Sequence, residues 1–257
     1  MPLFGYPAPM KPILLTAGAT RNRVDAIRYL SAFASGGTAL SLVDALGDGP
    51  VHLLGSAEAL LRARLAMAER RLAGLPDWKL EMEEYGGTRD LQDRMRRWLQ
   101  AHPRGVVVHS AAVGDYEAAP NPSKIPSGQA EILIRLTPAP KILDQLRGWA
   151  PDCRIVSFKA GAPGLSPSQL TDIARAQLRR TTSDLVFANV IGELEQSVVL
   201  VEEASEVAYA QRAEAVAAWP ERLLPGDEAE AEGSRRCHPA GRRHRAIARC
   251  QDGGRIS

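Results

Sequence analysis

Short apolar runs, each the length of a buried strand, recur along this chain with a helix-length stretch between most neighbours. Ile13-Leu14-Leu15, Val51 to Leu54, Val106-Val107-Val108, Arg154 to Phe158 and Asp184 to Ala188 are such runs. Lys79 to Glu84 alternates charged with apolar residues, as a half-exposed strand does. Connections of this length permit crossovers between parallel strands, and strands that are apolar throughout need cover on both faces. The pattern therefore predicts an α/β protein: a Rossmann-like, doubly wound, mostly parallel sheet with helices on both faces.

The intervening stretches carry helix signals. Ser35-Gly36-Gly37-Thr38 opens a helix with Leu40, Val43, Ala45 and Leu46 on its apolar side, and Gly47 to Pro50 ends it. Ser56 caps a second helix running to Leu72, and Thr88 a third through Leu91, Met95 and Leu99. Pro138 to Trp149 and Ser168 to Arg180 are expected to be helical, while Val198 to Val201 pairs at the sheet edge. Asn121 to Gln129, rich in Pro, Ser and Gly, should be a mobile loop feeding a strand at Glu131 to Leu136, a small loop and strand arm. Trp78, Trp98 and Trp149 fall on apolar faces and are assigned to the core. One main domain is expected over residues 1–225. From 226 to 257 the composition turns acidic and then dense in Arg, His and Gly, which predicts a disordered tail.

Several classes are disfavoured at once. With 32 basic and 30 acidic residues there is no basic excess of the kind nucleic-acid binding needs. Three cysteines leave one unpaired and fit a reducing compartment, so a cytoplasmic location is expected. The amino terminus carries no signal-peptide pattern, and no apolar run approaches the roughly 18 residues of a membrane span. Cys237, His238, His244 and Cys250 are zinc-ligand types, but without C-x-x-C spacing, and no metal site is assigned there.

Two places suit an anion. Small residues from Thr16 to Thr20 follow a strand, and Ser35-Gly36-Gly37 precedes a helix; both can present backbone N–H groups to phosphate. Ordinary tight turns would look the same, and neither a P-loop nor a G-x-G-x-x-G sequence is present. The third strand-end segment, Ser110 to Tyr116, lies where open α/β sheets take ligands.

Taken in order, these segments resemble the phosphopantothenoylcysteine synthetase family. Thr16-Ala17-Gly18-Ala19-Thr20-Arg21, Asp25, Arg28-Tyr29-Leu30-Ser31 and Ser35-Gly36 resemble its opening T-x-G-x-T-R and D-x-V-R-Y-I-S-N-x-S-S-G motifs. Ala111 to Tyr116 resembles A-A-V-A-D-Y, Lys124-Ile125 the K-I-K loop, and Leu136-Thr137-Pro138 with Ile142-Leu143 the T-P-D-I-L step. Val156 to Phe158 resembles V-x-F, and Asp184 to Asn189 resembles D-x-I-x-A-N. The resemblance covers Ile13 to about Trp219 and implies a free-standing ligase of coenzyme A biosynthesis. Such an enzyme joins 4'-phosphopantothenate to cysteine through an acyl-nucleotide made from CTP or ATP with Mg²⁺, and works as a homodimer joined through Glu131 to Leu136. It implies Lys124, Asp115 and Arg28 as catalytic residues. For the nucleotide it implies Gly18, Thr20, Ser35, Gly36, Ala111, Ala112, Asp115, Lys124, Phe158 and Asn189.

The departures bear on activity. The family's Asn after R-Y-I-S is Ala32, and a methyl group donates no hydrogen bond to an oxyanion. Gly37, Pro126, Gln177 and Thr181 stand where basic residues are usual, with Arg179 and Arg180 as possible replacements. A non-catalytic or redirected nucleotide-binding paralogue is the rival expectation. A nicotinamide dehydrogenase is weaker, because Val51 to Ser56 ends without the acidic residue that would hold a ribose.

Overall fold

In the computed structural model, which describes residues 11–47, 49–193 and 196–223, the apolar runs are parallel strands and the amphipathic stretches cross between them. The first half of the chain contains β1 (Ile13–Ala17), β2 (Asn22–Arg23), β3 (Tyr29–Leu30), α1 (Gly37–Leu46), β4 (Val51–Gly55), α2 (Ala57–Leu72), β5 (Leu80–Glu84) and α3 (Thr88–Ala101). The second half adds β6 (Val106–His109), β7 (Tyr116–Ala118), β8 (Leu136–Pro138), α4 (Leu146–Trp149), β9 (Arg154–Gly161), α5 (Pro167–Thr181), β10 (Leu185–Val190), β11 (Gln196–Val201), β12 (Glu206–Gln211) and α6 (Arg212–Leu223).

The main sheet has eight strands in the order β12-β11-β10-β9-β6-β1-β4-β5. The six from β5 to β10 are all parallel; counted along the chain they lie 3-2-1-4-5-6, the doubly wound order. The winding direction reverses between β1 and β6, so a crevice opens beyond their carboxyl ends. Both faces are covered. Leu14, Leu54, Val107 and Ile155 point to one face, where they meet Leu91, Met95 and Leu99 of α3 and Leu146 of α4. Helices α1, α2 and α6 associate with one another and with β1, β4 and β11. Burial of each Val, Leu or Ile side chain in these layers stabilises the fold by about 1.5–3 kcal/mol.

Two helices begin at a residue that caps them with its own side chain. Ser56 Oγ accepts from Ala59 N–H at 3.3 Å, and Ser166 with Gln169 forms a capping box at α5. At α3 the expected Thr88 cap is corrected: Gly87 holds the N-cap position, and Thr88 N–H donates at 2.8 Å to Asn22 Oδ1 at the start of β2.

Three other expectations are corrected. Residues 131–135 are outside any strand; only Leu136–Pro138 pairs, with β7, because among the described residues no strand meets the Ile132-Leu133-Ile134 edge. The helix expected from Pro138 begins only near Leu143, since Pro138 is in β8 and Ala139, held extended before Pro140, donates its N–H to Asp115 O at 2.9 Å. The sheet edge is β12 rather than Val198–Val201, which pairs on both sides. Trp78 is buried and Trp98 and Trp149 pack against the core as expected. The stretch 226–257, with Cys237, His238, His244 and Cys250, lies outside the described residues.

Candidate functional site

The crevice begins where β1 and β6 run past the sheet and remain tied together. Thr16 Oγ1 accepts from Ala111 N–H at 3.0 Å and lies 3.0 Å from His109 Nδ1, while Ser110 Oγ donates to Thr16 O at 2.6 Å. Ala112 N–H donates to Gly18 O at 2.8 Å, and Thr20 N–H to Ala112 O at 3.1 Å. Thr20 Oγ1 accepts from Gly114 N–H at 2.9 Å. This ribbon fixes two strand ends side by side.

Within it, burial keeps the His109 imidazole neutral and pushes its pKa from 6.5 down to about 4. The unfolded chain therefore takes up this proton first. Stability from this residue is complete above about pH 6.5 and is lost as pH falls toward 4, by about 1–2 kcal/mol at pH 5. Urea titrations at pH 7.5 and 5 are expected to show the fall in the wild type and to lose much of it in His109→Asn.

Three clefts line up along the crevice. The first, about 950 Å³, is lined by Gly18, Ser35, Gly36, Ser110 and Arg212 among others. A second, about 530 Å³, shares Phe33, Ala34 and Ser35 with it and is lined further by Tyr29, Ser31, Ala32 and Ser56. A third, about 810 Å³, shares Arg21 and Tyr29 with the second and reaches the start of α3. Gly18 and Gly36 carry φ of +83° and +84°, so two left-handed turns bring the start of α1 beside the end of β1.

Of the nucleotide residues that the resemblance implied, Gly18, Ser35 and Gly36 line the first cleft, and Ala111 and Ala112 lie in the ribbon beside it. Thr20 is fully buried, and its oxygen is engaged by Gly114 and Thr88, so its position is that of a tie between loops. Phe158 is half-buried and stacks on Phe187 with ring centroids 5.1 Å apart. Asn189 is buried at the end of β10, its Nδ2 3.4 Å from Val190 O. Asp115 is exposed and ion-paired with Lys141; Asp115, Lys124 and Asn189 are not among the residues lining the three clefts.

Arg28 and the Lys124 loop meet through Asp25. The Asp25 carboxylate pairs with the Arg28 guanidinium and accepts from Ile27, Arg28 and Ile125 N–H at 2.9, 2.7 and 3.0 Å. Burial opposes the Asp25 charge, but these donors outweigh it and hold the carboxyl down to about 2. Arg28 also donates to Ile125 O at 3.3 Å. Arg28 and Asp25 thus tie their loop to the one that carries Lys124.

Sequence reasoning missed Arg212. It is buried at the start of α6, lies over the Phe187 ring at 5.6 Å, and hydrogen-bonds Thr38 in α1. It brings positive charge to the first cleft that Gly37 does not supply. Gln177 and Thr181, where lysines were expected, face inward: Gln177 Nε2 donates to Ser157 Oγ and Phe158 O at 3.0 and 3.1 Å, bracing the strand that carries Phe158. Arg180 pairs with Asp144.

A model of the DNA/pantothenate metabolism flavoprotein C-terminal domain matches residues 9–223. The chain is 33% identical over 195 residues to the Coenzyme A biosynthesis bifunctional protein CoaBC of Thermococcus kodakarensis, covering 74% of this chain and 45% of that protein. The chain thus spans less than half the length of this curated relative. In fold it is similar to a DNA/pantothenate metabolism flavoprotein of Streptococcus pneumoniae, with TM-score 0.70, 22% identity, and coverage of 84% of this chain and 99% of that one. It is also similar to a Cab2 variant solved with phosphopantothenate-cysteine, with TM-score 0.65, 18% identity, and coverage of 86% and 89%.

Proposed function

Because the chain belongs to the family of the DNA/pantothenate metabolism flavoprotein C-terminal domain and of phosphopantothenoylcysteine synthetases, we propose that it joins 4'-phosphopantothenate to cysteine through an acyl-nucleotide. The observation that carries this reading is the run of clefts at the β1 to β6 reversal, where the Gly18 and Gly36 turns, Arg212 and position 32 adjoin.

The acid's carboxylate attacks the α-phosphorus of CTP or ATP and pyrophosphate leaves. The cysteine amine then attacks the acyl carbon, and the nucleoside monophosphate leaves as the amide forms. Backbone N–H groups at the Gly18 and Gly36 turns face the triphosphate, with the positive end of α1 behind them. Arg212 adds charge from the far wall, and Lys124 enters from its loop as Arg28 and Asp25 position it. Phe158, braced by Gln177, packs against the base.

The residues suit a cation that arrives on the triphosphate. Among the described residues no group of three or more His, Cys, Asp or Glu side chains stands together, and Asp115 offers one exposed carboxylate. Mg²⁺ bound in this way supplies charge neutralisation at the phosphorus under attack.

A homodimer in the cytoplasm belongs to this reading: Ile132, Leu133 and Ile134 form an exposed apolar arm that a second copy would cover. No helix among the described residues is long and apolar enough to cross a membrane. Ala32 favours the second reading, a redirected or non-catalytic paralogue. The two separate in one assay. With nucleotide, Mg²⁺, 4'-phosphopantothenate and cysteine, the ligase releases pyrophosphate only when the acid is present, and mass spectrometry finds the amide. Nucleotide binding without acid-dependent pyrophosphate supports the paralogue.

A further inference from the structure

We propose that the outer face of α2 is a self-association surface, on which two copies of this chain pair their α2 helices side by side and parallel. This pairing does not depend on the ligase reading, and it uses other residues than the apolar arm at Ile132 to Ile134. Helix α2 is apolar on two opposite sides. Ala59, Leu60 and Ala63 are buried on one of them. On the other, Leu61 is 55%, Leu65 56% and Leu72 90% exposed, and Ala68 is exposed between them. These four residues follow the i, i+4, i+7, i+11 spacing of a coiled-coil seam, so they form one narrow stripe along about three turns. A helix on a protein surface needs a single apolar side; a second one belongs to a helix that lies between two layers. Among the described residues only the inner layer is present.

The charges beside the stripe identify the other layer. Arg62 pairs with Glu58, Arg70 with Asp44 and Arg71 with Asp77. Arg64 and Glu69 take part in no ion pair among the described residues. With Leu61 and Ala68 at d and Leu65 and Leu72 at a, Arg64 falls at g and Glu69 at the following e, on opposite flanks of the stripe. A parallel pair of helices sets a g residue of one against that e residue of the other. Two-fold symmetry makes the contact twice, Arg64 of each copy meeting Glu69 of the partner subunit. Antiparallel pairing instead sets Arg64 against Arg71 of the partner subunit, like charge on like. The two unanswered charges of α2 therefore answer one another only across a parallel pair, which selects a second copy of this chain rather than an unrelated partner. Three leucines form a small seam, so the pairing is reversible and depends on concentration.

Sedimentation velocity of the full chain over a concentration series tests this in a Leu133→Glu background, which removes the arm as a source of association. A monomer–dimer equilibrium is expected there. Arg64→Glu weakens it at least about tenfold, because like charges then face each other at both symmetric contacts. Glu69→Arg does the same, and the two substitutions together restore the dimer. Leu65→Glu abolishes it. All of these replace exposed side chains, and thermal melting checks that each variant folds as its parent does. A monomer at every concentration in the Leu133→Glu background overturns the proposal, whether another segment of the same chain covers the stripe or nothing does. So does a dimer that Arg64→Glu leaves unchanged or strengthens, or one that the double charge reversal fails to restore.

Discussion

Ala32→Asn is expected to raise cysteine-dependent product formation by tenfold or more, taking about a tenth of the 10²–10³ effect of a single oxyanion donor as the floor. Position 32 lines the middle cleft with Ser31, Ser35 and Ser56, between the cleft of the Gly18 and Gly36 turns and the cleft at the start of α3. When the cysteine amine adds to the acyl-nucleotide, negative charge gathers on the former carbonyl oxygen. A methyl group leaves that charge without a donor, and a carboxamide supplies one. The gain should appear in the second half-reaction, while pyrophosphate release on formation of the acyl-nucleotide changes little. Rapid-quench measurement of intermediate and product separates the two steps. Unchanged product formation in a well-folded Ala32→Asn variant would mean that the neighbouring serine hydroxyls already meet the demand.

What could be seen in the sequence was whatever depends on near neighbours. Ile13 to Leu15 and Val106 to Val108 are buried through both faces, as unbroken apolar runs require, and the six parallel strands follow from such runs. The turns at Gly18 and Gly36 could be read because a turn with positive φ calls for glycine locally. β12 could not: Glu206 to Gln211 is an edge strand whose alternation is weak, and only its pairing with β11 holds it. The arm failed for the converse reason. Ile132 to Ile134 has strand-like residues but no partner strand among the described residues, while the pairing that does form uses Leu136 to Pro138.

The same division runs through the site. Asn22 caps a helix 66 residues away, Thr16 meets His109 across 93, and Arg212 meets Thr38 across 174. No local pattern announces contacts of that range. Arg28 adds a contact that its motif does not announce: its guanidinium pairs with Asp25 beside it and also donates to the carbonyl of Ile125, 97 residues away.

Gly18→Ala is expected to lower stability by about 2–5 kcal/mol and to abolish measurable nucleotide binding, because two separate costs fall on one methyl group. The backbone there has φ +83°, which costs an L-residue about 1–2 kcal/mol. The added Cβ would also stand 2.1 Å from Ser56 Oγ, 2.9 Å from Ser56 Cβ and 3.1 Å from Ala59 Cβ, and Ser56 is not free to turn away because it caps α2. Overpacking of this kind costs a further 1–3 kcal/mol or so. Gly74→Ala isolates the first cost: its φ is +69° at the end of α2 and nothing lies within 4 Å of the new Cβ, so it should lose only about 1–2 kcal/mol. The excess loss in Gly18→Ala over Gly74→Ala in urea denaturation measures the contact with Ser56 and Ala59. The functional consequence follows from the same geometry, since any shift that relieves the clash moves the start of α2 or the β1 turn, and with it the Gly18 carbonyl that accepts from Ala112. Equal losses in the two variants, with nucleotide binding retained in Gly18→Ala, would show that the turn yields without disturbing the first cleft, and the close approach of β1 and α2 would then have no part in holding phosphate.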